Sequence, residues 1–222
     1  MDNKVKNALE AAVNSYAAID QLDGQEILPG LAAAFELEKP FMEKVDAMDA
    51  VFDDHLRFDE LREYCFDLLM INFFAEDVQK LEEDYLDSEE WETIEEDTLD
   101  RGSELLNILL YLKECDDDEV EPSLDDFLKE FLLVEEDEFQ DEYRIYEKVI
   151  ANQILVESNY AEIAKIAKGL RGDDELVDLF YPLISFFNEQ SPSQEQLDVY
   201  SEAAPNKALD LALLQLIIKY NA

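Results

Sequence analysis

The chain has 222 residues, with 57 Asp and Glu against 17 Lys and Arg and a formal net charge of −40. That balance excludes direct binding to a DNA or RNA backbone, which needs clustered Lys and Arg. The 48% of apolar residues, with 13 Phe and 10 Tyr, excludes a disordered acidic tail and leaves a globular body.

At the amino end, "MDNKVKNALEAAV" lacks the charged-then-apolar order of a secretion signal. No run approaches the roughly eighteen apolar residues of a membrane span. The expectation is a cytoplasmic protein with no membrane partner. Apolar residues recur at three- and four-residue steps and only five Gly occur, so helices should fill the chain.

Residues 3–20 form a first helix, Gly24 a turn, and Pro29 with Gly30 a boundary within the next segment. Pro40 opens a helix with Phe41, Val45, Met48 and Phe52 on one face. Residues 59–75 are apolar nearly all round, the pattern of a central buried helix.

Residues 81–100 hold eleven carboxylates, no Lys or Arg, and the single Trp of the chain. A thin apolar stripe runs through Leu81 and Tyr85, breaks near Asp87 and Ser88, and resumes at Trp91 and Ile94. Residues 103–112 again read as a core helix, so the acidic stretch is tethered at both ends. Residues 115–123 are a linker and the one candidate lobe boundary, and Ser123 with Asp126 begins a capping box for a helix through Leu132.

From 134 to 157 the stripe Phe139, Tyr143, Tyr146, Ile150 and Ile154 predicts one long helix, although Glu138 with Glu142 and Asp137 with Asp141 stack like charges at i,i+4. Further helices are expected near 158–169, 173–188 with Pro182 as a kink or break, 192–203 and 205–220. The fold class is all-α: an irregular bundle or array of nine or ten helices in a single domain over 1–222.

Chemistry-bearing patterns are sparse. Cys65 and Cys115 lie 50 positions apart, with neither a CxxC metal knuckle nor a disulfide framework, and read as reduced, buried thiols. His55 is the one histidine, with Asp59 four residues on, which rules out metal motifs needing two imidazoles. "DDDEVE" lacks the glycine and later ligands of a calcium loop. Glu60, Glu63 and Asp67, at i, i+3 and i+7, match a spacing suited to Mg²⁺, but a three-acid pattern of fixed spacing arises by chance about four times in so acidic a chain. They define the alternative function, a Mg²⁺-dependent helical hydrolase. No other cofactor is expected.

The charge itself is the stronger signal. Residues 76–147 carry 30 acids against 5 bases, so −25 of the −40 sits in 72 residues. A merely solvated helix face mixes signs, and this one does not. The expected function is non-enzymatic: an acidic helical protein, of inhibitor, immunity or chaperone type, that docks a basic protein through Glu89, Glu90, Trp91, Glu92, Glu95 and Glu96. In a narrower version the acids stand in for nucleic-acid phosphates. A helical domain of unassigned role is the remaining reading.

Because screening weakens repulsion beyond a Debye length of about 10 Å at 0.1 M, the melting temperature should rise between about 20 mM and about 500 mM NaCl. A flat or falling curve by scanning calorimetry would show that the acids are already compensated.

Overall fold

In a computed structural model of the chain, residues 1–77, 88–131, 133–135, 138–139, 145–170 and 176–222 are described. Asp2 starts the first helix, α1 (Asn3–Asp20), by accepting the amides of Lys4 and Val5 on its side chain. The α1 face of Val5, Ala8, Leu9, Ala12, Val13, Tyr16 and Ala17 is buried against the last helix, α12 (Lys207–Asn221). Alanines on both helices let the axes approach. The end of α12 lies beside the start of α1, where burial, with Asp2 and Asp116 adding to it, pushes the Tyr220 phenol well up.

The segment Leu28–Phe35, α2, starts one residue before Pro29, so Pro29 and Gly30 sit in its first turn rather than at a boundary. The missing proline amide would have had no partner there in any case. Gly30 faces α3 (Phe41–Asp54), and a Cβ added to it would stand 3.0 Å from Val51 Cγ2. Phe41, Val45, Met48 and Phe52 of α3 all point into the core, as their spacing predicts.

A 3₁₀ segment, Leu56–Leu61, leads into α4 (Arg62–Asn72). Every residue of α4 from Tyr64 to Asn72 is buried. Its two buried polar side chains are both satisfied: Asn72 Oδ1 accepts the Asp2 amide at 2.8 Å, and Asp67 accepts two bonds from Ser103. Next come α5 (Glu89–Asp97) and α6 (Leu105–Asp117), whose Leu105, Ile108, Leu109, Tyr111, Leu112 and Cys115 face the core. Both cysteines are buried and neither is in a disulfide.

After an irregular stretch over 118–123, Ser123 caps the short α7 (Leu124–Asp126), which widens into a π turn over Phe127–Phe131. The expected long helix over 134–157 is not formed. Leu133–Glu135 (β1) pairs antiparallel with Glu138–Phe139 (β2) through a bulged register. Among the described residues the next helix is α8 (Glu147–Ala151), followed by a 3₁₀ turn over Gln153–Glu157. A continuous helix would stack carboxylates one turn apart with no intervening base, which disfavours it locally. Tyr146 is buried, but Ile154 stands 69% exposed, and Tyr143 lies outside the described residues.

The chain closes with α9 (Tyr160–Ala167), α10 (Phe180–Asn188), α11 (Gln194–Ala203) and α12. Pro182 falls in the first turn of α10, where its lack of an amide breaks no bond. Twelve α-helical segments and one minimal strand pair thus appear among the described residues, an all-α bundle around a hydrophobic cluster drawn from α1 through α12. No described helix is long and apolar enough to cross a membrane.

Leu109 is fully buried at the centre of α6. Leu109→Asp should therefore cost at least about 4 kcal/mol, enough to unfold the protein or nearly so. Urea titration followed by circular dichroism checks this, and a variant with an unchanged midpoint would remove α6 from the core.

Candidate functional site

The acidic face is carried by α5, which the sequence holds to the core by little. Ser88 Oγ accepts the Trp91 amide at 3.2 Å and starts the helix. Ile94 is its one buried residue among those described, and Trp91 is half-buried, its ring stacked on Phe73 at 6.1 Å and tilted against Phe74 at 5.5 Å. Trp91 thus anchors α5 to the end of α4. Its remaining exposed surface adjoins the acidic face.

Glu89, Glu92, Glu95 and Glu96 are exposed, as are Asp97 at the end of the helix and Asp100 beyond it. None of the six makes an ion pair among the described residues. Glu90 belongs to α5 as well. Leu99 stands 80% exposed between Asp97 and Asp100. The one base of this stretch, Arg101, does not answer them. It turns inward.

Arg101 donates from both terminal nitrogens to Asp49 of α3, at 2.9 and 3.1 Å, and from Nε to Glu63 of α4 at 3.1 Å. Its guanidinium lies over the Phe66 ring, 4.8 Å from the centroid. The next two residues continue the attachment: Gly102 N donates to Glu63 at 2.7 Å, and Ser103 donates from N and Oγ to Asp67 at 3.0 and 2.6 Å. Gly102 has φ +80°, and a Cβ there would meet Asp67 Oδ1 at 2.6 Å, so this close approach needs glycine. Arg62 reinforces the same corner by bonding Asp49, Asp53 and Asp59. Two arginines therefore gather four carboxylates and fix the exit from the acidic segment.

The three carboxylates of the alternative metal site are not brought together. Glu60 lies on the 3₁₀ segment before α4, which breaks the helical phase that would align it with Glu63 and Asp67. It accepts the Tyr16 hydroxyl at 2.7 Å, while Glu63 is held by Arg101 and Gly102, and Asp67 is buried on Ser103. Among the described residues no group of three or more His, Cys, Asp or Glu side chains could hold a metal ion. His55 Nδ1 donates to the Val51 carbonyl at 2.8 Å, and Asp59 bonds Arg62 instead of His55.

Sequence reasoning overlooked Arg101, Asp49 and Arg62. The available signal was an isolated Arg-Gly pair ending a long run without bases.

Burial pushes the Asp67 carboxyl up from 3.8 to about 8; the neighbouring Glu63 and Glu104 charges add to the rise, and the Ser103 bonds oppose it. On α12, burial and Asp178 push Asp210 up to about 7, against the Asn206 amide bond and Lys168. No family model matches the chain, and no curated protein or solved structure matches it.

Both carboxyls keep their protons in the folded chain at pH values where the unfolded chain has lost them. Their contribution to stability is full below about pH 4 and is lost as pH rises through about 7 and about 8. The urea midpoint should accordingly fall from about pH 5 to about pH 8.5, and Asp67→Asn should flatten that slope. A midpoint that rises over the same window would show that both carboxylates are stabilised as anions.

Proposed function

We propose that the chain is a non-enzymatic binding protein whose α5 face docks a basic protein partner. The observation that carries this reading is the set of exposed glutamates, Glu89, Glu92, Glu95 and Glu96, without an ion pair among the described residues, on a helix fixed to the core by Trp91 and Ile94. Glu90 completes the carboxylate row in sequence.

Two physical arguments support it. Like charges at i,i+3 and i,i+4 cost a few tenths of a kcal/mol each, and basic groups from a partner relieve that cost. A helix already held by the Arg101 corner also loses less conformational entropy on binding than a free acidic tail does. The field of a −40 chain steers a cation toward this face, so association should be fast and steeply salt-dependent. A cytoplasmic setting and a role of inhibitor, immunity or chaperone type are compatible with such a face.

Replacing Glu89, Glu90, Glu92, Glu95 and Glu96 by Gln should weaken capture of a basic partner by about tenfold or more while leaving the fold intact or slightly more stable. Affinity capture from native lysate at low salt, quantified against the unaltered chain, tests this. Recovery of nothing but assorted polycations, or equal capture by the Gln variant, would reduce the face to a solvated surface.

A further inference from the structure

A second feature lies away from α5. A cleft of about 400 Å³ opens between the irregular 118–123 stretch and the 3₁₀ turn over Gln153–Glu157, lined by Pro122, Leu124, Asp125, Val156 and Phe187 among others. Its walls are tied in place. Tyr111 Oη accepts the Ser123 amide at 2.9 Å, Gln190 Nε2 donates to the Pro122 carbonyl at 2.7 Å, and Asn188 Nδ2 donates to the Val156 and Ser158 carbonyls. Both walls are thus pinned to the residues that end α10.

Of the five large apolar side chains that stand exposed among the described residues, Val120 at 55% adjoins Glu121 of the lining in the chain and Ile154 at 69% lies two residues from Val156. The partly buried Val156 and Phe187 line the cleft itself. The rim is acidic. Asp118, Glu119, Glu121, Asp125 and Asp126 are exposed on the first wall, where Lys113 and Lys129 are already paired with Asp117 and Asp125. On the other side Glu147 and Glu157 outnumber Lys148.

We infer that this cleft receives a basic amphipathic segment of a partner protein, its apolar side chains seated on Val156 and Phe187 and reaching the neighbouring Val120 and Ile154, and its Lys or Arg side chains meeting Glu119 and Glu121. Apolar floor and anionic rim together select that occupant, since a purely apolar segment leaves the rim unanswered and a purely basic one leaves the floor wet. A second copy of this chain is opposed by its own charge, because it would bring −40 toward −40. The inference rests on the basic-partner reading above and adds a second, shape-selective contact to it.

The full-length chain is titrated with two synthetic peptides of the same Leu and Lys composition, one ordered so that Leu falls on one helical face and one scrambled. Amide chemical shifts of the isotopically labelled protein follow binding. The amphipathic peptide should bind about tenfold more tightly than the scramble, with shifts centred on Val120–Leu124, Ile154–Val156 and Phe187. Val120→Ser and Ile154→Ser, both at exposed positions and so without consequence for folding, should each remove most of that advantage while leaving the scramble unaffected. Equal binding of the two peptides, or shifts confined to α5, would overturn the cleft and leave the basic-partner reading standing. Binding of neither would overturn both. Self-association by sedimentation that Ile154→Ser abolishes would assign the cleft to a second copy and overturn the inference.

Discussion

Asp49 accepts hydrogen bonds from two arginines at once, and the placement of the acidic segment depends on that junction. Arg62 reaches it from α4 and Arg101 from the turn after α5, so α3, α4 and the 101–103 turn meet at one carboxylate. Pairs of this kind at exposed sites contribute little, but here both guanidinium groups are only about a fifth exposed and Arg101 bonds in bidentate fashion. Without the junction, the exit of the acidic segment would be free to swing. With it, α5 is an ordered surface.

The same junction explains how so acidic a chain tolerates its charge. The bases are few, and Arg62 and Arg101 both converge on Asp49, the least exposed of their four carboxylate partners, where desolvation makes an unpaired carboxylate costly. Asp67 and Asp210 are buried without an ion pair among the described residues and answer the same problem by holding protons more tightly. The exposed carboxylates described on α5 make no ion pair among the described residues, and water solvates them there. Repulsion is thereby exported to the surface, where α5 and the rim of the 118–125 cleft concentrate it.

These two surfaces differ in what they could recognise. The α5 face offers charge with one exposed leucine, Leu99, whereas the cleft offers apolar area bounded by charge. Charge acts mostly on the rate of encounter, and apolar burial acts mostly on the lifetime of a complex. A basic partner engaging both would combine speed with residence.

What the sequence determined by itself follows from local periodicity. The buried faces of α1, α3, α4 and α6, the cap at Ser123 and the thin core contact of α5 through Trp91 and Ile94 all appear as spacings within a few residues, because burial on a helix is a matter of phase. Proline was legible only as an interruption; whether Pro29 and Pro182 break a helix or sit in its first turn depends on where the preceding chain enters the core. The stripe at 139–154 misled for a related reason, since it matched helical phase while the carboxylate pairs beneath it opposed a helix and the tertiary contacts ended one. The fates of Glu60, Glu63 and Asp67 were decided by the tertiary structure alone. Each was assigned a different partner, Tyr16, Arg101 and Ser103, from 36 to 44 residues away in the chain, and no spacing within one helix can encode which distant donor arrives beside a carboxylate.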